Sequence, residues 1–375
     1  MKSALASLAL LLLAAPAPAA VKAGGYLKDF WQYSHSALDG RDYNLNTFRA
    51  RLTLDADRGL FKAHADLDNQ VAAGSFFRTT EFRLFGYAPP KPWLDMEHTV
   101  STGTTNGYGI GAYRAYVGVE GEKGVVRAGR QRIAWGTGKL WNPTDVLNPY
   151  DPATVERDER RGVDALYGRL GVGTLGQLEL VWAPNDRWND HALLARARAN
   201  WGGWDASIVG GKVAGSTGAV MMGGDLAGAL FDGTAHAEAA WFSPVLRNPY
   251  WKLGVGYDYN FSDASALVVE YYQAGNGASN PSRYDFAAVR AGREPGVARH
   301  YFGGTFSKDL TTLFKFEVAG IVNADDRSTL AYPSLAWNAA PDLWLTAAWR
   351  RFGGERRSEF GAQPDSTVLS VQYWF

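Results

Sequence analysis

Ser366–Phe375 reads S-T-V-L-S-V-Q-Y-W-F. Thr367, Leu369, Val371, Tyr373 and Phe375 share one face of an extended strand, and Val368, Ser370, Gln372 and Trp374 share the other, because side chains alternate with a period of two. The chain stops on an aromatic residue with no polar tail behind it. Termini are ordinarily solvated and frayed. A strand that closes a barrel accounts for such an ending.

The same alternation runs through the chain. Between Leu45 and Ala56, Phe48, Ala50, Leu52 and Leu54 are apolar or small, while Thr47, Arg49, Arg51, Thr53 and Asp55 are polar. A tight turn at Asp57-Arg58-Gly59 leads to Phe61, Ala63, Ala65 and Leu67 against Lys62, His64, Asp66 and Asp68. Trp251, Leu253, Val255, Tyr257 and Tyr259 alternate with polar residues or glycine in the same way. No helix-period segment intervenes, which favours a barrel over a helix-containing fold. Counting from 25–35 to 366–375 predicts an all-β, transmembrane antiparallel β-barrel of about 18 strands, and 16 also fits if strand ends move by about two to four residues. Short turns alternate with long loops, at 36–43, 71–111, 134–162, 183–190, 213–216, 243–249, 275–298, 323–327 and 353–365. This is the outer-membrane arrangement, with the turns periplasmic.

Composition agrees. The 375 residues include 43 Gly, 13% aromatics and no Cys, with a formal net charge of zero. Tight turns and interfacial Trp and Tyr belts use the first two. Zero charge speaks against nucleic acid as a partner, since such binders carry a basic excess. Met1-Lys2, the apolar Ala4–Ala15 stretch and Ala17-Pro18-Ala19 read as a signal peptide over 1–19. A membrane anchor needs about 20 apolar residues, and Pro16 and Pro18 interrupt this run. The barrel is then expected over 20–375.

The terminal strand resembles that of bacterial outer-membrane β-barrels, which end in Phe with an aromatic two residues before it. The resemblance implies that Tyr373 and Phe375 form the signal read by the barrel-assembly machinery. It also implies a location in the outer membrane, with lipid around the barrel.

Gly129–Asp164 is the most unusual stretch. Asn142-Pro143, Asn148-Pro149 and Asp151-Pro152 make successive turns, and a loop this long is functional or disordered. Trp135, Leu140, Trp141, Val146, Leu147 and Tyr150 argue for order, packed on the inner wall. The stretch, with Gly129-Arg130-Gln131 and Trp135-Gly136, resembles general and substrate-selective porins, whose third loop folds inward and narrows the pore. The expected constriction residues are Asp145, Glu156, Arg157, Asp158, Glu159, Arg160 and Arg161. A solvated loop tip with self-paired charges is the competing reading of that run.

Strand parity points Arg49, Arg51, Arg114, Arg127, Arg196 and Arg198 into the lumen, with Asp55, Asp66, Glu120 and Glu179. The arginines outnumber these acids, which leans towards anionic solutes, while mutual pairing of the charges is an equal alternative. The six histidines are scattered, with no metal-spaced pair and no Cys, so no catalytic residues, metal or cofactor are expected. The function implied is a porin for passive diffusion of small hydrophilic solutes, possible as a homotrimer because general porins are commonly trimeric. Two alternatives stand behind it: a sheath holding a periplasmic partner such as an electron carrier, which an inward 134–162 opposes, and an outer-membrane hydrolase.

Overall fold

The structure is a computed structural model describing residues 20–85, 93–148, 152–154, 156, 162–185, 190–214, 219–245 and 247–375. The segment 1–19, read as a signal peptide, lies outside the described residues. The strands, in order, are β1 (Ala20–His35), β2 (Asp42–Arg58), β3 (Phe61–Ala73), β4 (Glu97–Thr102), β5 (Asn106–Glu120), β6 (Gly124–Gln131), β7 (Val163–Val172), β8 (Gly176–Ala183), β9 (Ala192–Trp201), β10 (Trp204–Lys212), β11 (Val220–Leu230), β12 (Gly233–Ser243), β13 (Tyr250–Asn260), β14 (Ser265–Ala274), β15 (His300–Asp309), β16 (Phe314–Asn323), β17 (Thr329–Ala340), β18 (Leu343–Gly353) and β19 (Ser366–Trp374).

Closure comes from β1, which pairs antiparallel with both β2 and β19. Tyr26 sits opposite Trp374, and Gly25 and Phe375 exchange backbone hydrogen bonds of 3.0 and 3.1 Å. The terminal strand therefore does close the sheet. Eighteen strands make the barrel, because β3 pairs directly with β5. The nineteenth, β4, lies in what the sequence reads as loop 71–111. It pairs with Gly107–Gly111 of β5, whereas β6 covers only Ala115–Glu120. Thus β4 extends the wall where β6 is too short to reach. Periodicity could not reveal it, because every residue of E-H-T-V-S-T is exposed. The wall is also taller there than expected, since β3 runs on to Ala73 and β5 starts at Asn106.

Phe48 and Leu52 are exposed on the outside of β2, while Arg51, between them in the pleat, is buried inside. Ile208, Val255, Val269 and Phe302 continue the outer apolar band. Inside, two apolar clusters form on the wall. One joins Ile133 and Trp135 to Val181, Leu194, Val209, Met221 and Phe242. The other joins Leu140 and Trp141 to Tyr272, Tyr301, Ile321, Leu330 and Phe360.

Adjacent valines on β14 test the parity. Val269 is exposed to lipid, whereas Val268 stands opposite Asp258 on the inner row. Val269→Arg is expected to cost about 2–4 kcal/mol of stability, the penalty for Arg near a bilayer midplane. Val268→Arg is expected to cost less than about 1 kcal/mol, since water and Asp258 can take the charge. Denaturant unfolding followed by Trp fluorescence reads both, and equal costs would contradict the assigned faces.

Candidate functional site

The chain leaves β6 at Gln131 and returns at Val163, and the described residues between them bond to side chains on the inner face of the wall. Their backbone cannot join the sheet ladder, so its N–H groups need other acceptors. Two wall carboxylates supply them. Glu238 on β12 accepts hydrogen bonds from the N–H groups of Thr137 and Gly138 (2.8 Å for the latter), and from the N–H and hydroxyl of Thr144 (3.2 and 2.9 Å). Glu270 on β14 accepts from the N–H groups of Lys139, Leu140 and Trp141, the last two at 3.0 and 3.1 Å. Five consecutive backbone donors, Thr137 to Trp141, are thus held by two buried carboxylates. Charged acceptors make such bonds about twice as strong as neutral ones.

Packing fits the hydrogen bonding. Trp141 stacks on Tyr272 with ring centroids 5.6 Å apart and planes within 7°. Gly303 on β15 makes room, since a Cβ there would stand 2.6 Å from the Trp141 ring. Gly136 has φ +93, and an added Cβ would lie 2.6 Å from a Glu238 oxygen, so only glycine turns the chain towards that carboxylate. Trp135 donates its indole N–H to Glu179 on β8 at 3.0 Å, and Val146 and Leu147 pack against the first apolar cluster. Further along, Ala153 O accepts from Arg350 of β18 at 3.0 Å. Glu156 then meets Lys28 of β1 at 2.7 Å and Arg49 of β2 at 2.9 and 3.2 Å. Burial alone would raise the Glu156 pKa, but Lys28 and Arg49 outweigh it and hold the carboxyl below its ordinary value.

Of the expected constriction residues, Asp145 and Glu156 are described, and each has its own partners. Glu156 bridges to the opposite wall. Asp145 is buried, with Oδ1 accepting from Asn148 N at 3.0 Å, so it holds a turn of the segment. Arg157, Asp158, Glu159, Arg160 and Arg161, and Tyr150, lie outside the described residues.

Several lumen arginines have acidic partners, among them Asp68, Asp205 and Asp225 besides the inward Glu120 and Glu179. Arg51 pairs with Asp68 at 2.6 and 2.7 Å and lies over the Tyr113 ring at 3.8 Å. Arg127 pairs with Glu120 at 2.7 Å, and Arg198 with Asp205 at 2.5 Å. Arg196 meets both Glu179 and Asp225, at 3.4 and 3.2 Å. Arg114 lies over the Tyr113 ring at 5.2 Å. Asp68 and Asp205 are one strand away from their arginines and Asp225 is two strands away, so parity shows that they face inward but not that they pair.

Arg130, fully buried, was not singled out as a site residue although it sits in the Gly-Arg-Gln motif. Its guanidinium donates to Asp164 on β7 (2.9 Å), Glu97 on β4 (3.2 Å), Ala112 O on β5 (2.8 Å) and Leu94 O (2.6 Å). It ties the β4 extension to the barrel. His64 lies 2.8 and 3.2 Å from Asp55 and Asp66, and His236 lies 3.4 and 3.7 Å from Asp258 and Glu270. No serine hydroxyl bonds to either histidine among the described residues.

An 18-stranded barrel with an apolar outer band, a charged bore and a segment bonded to its inner face is a pore-type outer-membrane barrel. A family profile described as Gram-negative porin matches residues 4–207, more than half of the chain, and the chain belongs to that family, whose members reside in the outer membrane. No curated protein sequence matches the chain significantly. Solved structures share its fold at low identity. Pseudomonas aeruginosa OccK5 (OpdH) is 11% identical with TM-score 0.60, over 95% of this chain and 98% of that one. Acinetobacter baumannii OccAB1 is 8% identical with TM-score 0.59, over 95% and 96%. Pseudomonas aeruginosa OpdK, solved with vanillate, is 11% identical with TM-score 0.56, over 95% and 98%.

Removing a wall carboxylate should free the segment. Glu270→Ala leaves three backbone donors without acceptors and should weaken docking of 139–141 by about 2–4 kcal/mol, given the usual cost of unpaired buried donors. Hydrogen exchange of these amides should then speed up by roughly 30-fold or more. Unchanged exchange would show that the apolar clusters alone hold the segment.

Proposed function

We propose that the protein is a channel for passive diffusion of small hydrophilic solutes, narrowed by the 134–162 stretch and favouring anions. The observation that carries this reading is the five-amide docking of Thr137–Trp141 on Glu238 and Glu270. It supports reading the segment as an obstacle inside a barrel too wide to fill with its own side chains. Size selection then comes from the space that the segment leaves inside the barrel.

The anion preference has two supports. Lys28, Arg49 and Arg51 cluster on adjacent strands, while Glu156 and Asp68 are the acids paired with them. Fixed charges beside a low-dielectric wall act strongly on passing ions. OpdK, a fold neighbour, is solved with vanillate, and vanillate is a carboxylate. Glu156 supplies a carboxylate to Lys28 and Arg49, the chemistry an anionic solute would supply in transit. Tyr373 and Phe375 fit the proposed assembly signal, at the end of the strand that closes the barrel. A homotrimer stays a proposal from family resemblance alone.

Planar-bilayer recording of the refolded protein in a salt gradient tests the reading. The reversal potential is expected to indicate anion preference, and Lys28→Ala with Arg49→Ala should move it towards cations. Glu156→Gln should strengthen the anion preference, because it removes the acid and leaves both cations. A cation-selective parent channel, or a reversal potential indifferent to all three changes, would contradict the proposed filter. A folded barrel that conducts nothing would contradict the channel.

A further inference from the structure

Beside the Trp141 cluster, the loop end of the barrel holds a carboxylate that the channel reading does not use. Glu359 lies in the β18–β19 connection and is buried. Its Oε2 accepts from the Tyr301 hydroxyl and from Asn323 Nδ2, both at 2.8 Å. Its Oε1 accepts from Val297 N at 3.3 Å, and its own N–H donates to Asp326 at 2.8 Å. The next residue, Phe360, donates its N–H to Ser328 Oγ at 3.2 Å. One side chain and its neighbour thereby join three long connections: β14–β15 through Val297, β16–β17 through Asp326 and Ser328, and β18–β19.

The charged and titratable surroundings are unusual for a buried acid. Tyr301 faces it from β15, Tyr284 reaches the same Asn323 at 3.2 Å from the β14–β15 connection, and Asp326 faces it from β16–β17. Arg350 of β18 shares a cavity of about 200 Å³ with Glu359, but its guanidinium donates to Ala153 O. Glu359 has no ion-pair partner among the described residues. A buried carboxylate without a cation favours its neutral form.

We propose that Glu359 is a proton-operated latch: neutral, it keeps the three connections packed together over the barrel mouth; ionised, it releases them. The latch lies next to the constriction, because Phe360 and Tyr301 belong to the apolar cluster that holds Trp141. Its effect on conductance rests on the channel reading, whereas its effect on loop packing does not.

The sign follows from linkage. Burial pushes the Glu359 carboxyl up from an ordinary 4.5 to about 7, against the three donors that favour the anion, and Asp326 adds in the same direction as burial. Below pH 4.5 both packed and released loops are protonated and the latch is at full strength. As pH rises from 4.5 towards 7, released loops ionise while packed ones resist, so the packed arrangement loses ground. Above about 7 the loss is complete. It is on the order of 100-fold in the released-to-packed ratio.

The chain contains no Cys, so paired spin labels can be placed at exposed Arg293→Cys and Arg357→Cys in the refolded full-length barrel. Pulsed distance measurements should give a narrow distribution at pH 5 that broadens by pH 8.5. Glu359→Gln should keep it narrow at both. Asp326→Asn, which removes the negative neighbour, should move the midpoint to lower pH. A distribution indifferent to pH in the labelled parent, the same transition in Glu359→Gln, or a midpoint unmoved by Asp326→Asn would each overturn the latch. Bilayer recording separates the two claims. A conducting barrel whose loops ignore pH leaves the channel and removes the latch. Loops that respond in a barrel that never conducts do the reverse.

Discussion

A strand in lipid cannot leave its backbone groups unpaired, because no water is there to take them. That constraint makes β1 bond to both β2 and β19, and the rest of the structure depends on it. Once the sheet is closed, alternate residues have fixed fates. Phe48, Leu52, Ile208 and Val269 turn to lipid, and Arg51, Asp66, Glu238 and Glu270 turn to the interior. An interior bounded by 18 strands is too wide for side chains to fill. Left alone it holds water; narrowing it takes further backbone, and further backbone brings unsatisfied donors with it.

Those donors explain the two buried carboxylates. In an aqueous lumen a lone Glu on the wall would be solvated and unremarked. Here Glu238 and Glu270 replace the water that Thr137–Trp141 lose on docking, and aromatic packing at Trp141 and Trp135 excludes the rest. The arrangement resembles the anion-binding concavities made by successive backbone N–H groups, with the anion supplied by the barrel itself. A segment held at both its polar and its apolar contacts can stay at a defined place across the bore.

The strands were legible in the sequence because burial on one face and lipid on the other write a period-two pattern. The pattern in Thr47–Asp55 is enough to say which way Arg49 and Arg51 point. Strand β4 was not legible, since no residue of Glu97–Thr102 is buried and nothing alternates. The aromatic residues of 135–147 did signal packing against the wall. What they pack on was hidden, because Glu238, Glu270 and Gly303 look like ordinary inner-face positions until the register sets Gly303 beside Glu270 and Glu238 two strands away. The arginines' partners were hidden in the same way: Asp68 faces Arg51 across β2 and β3, a neighbour that only strand pairing reveals. Glu359 gave no sequence signal at all, being one acid in a charged loop.

The most direct test of the central claim is the narrowest radius of the conducting barrel, measured from how graded polyethylene glycols partition into it and lower single-channel current. The account predicts exclusion of polymers that an unobstructed 18-stranded bore would admit, with the size cutoff relaxing when residues 137–148 are deleted. Free entry of those polymers into the intact protein, or a cutoff that the deletion leaves unchanged, would contradict it.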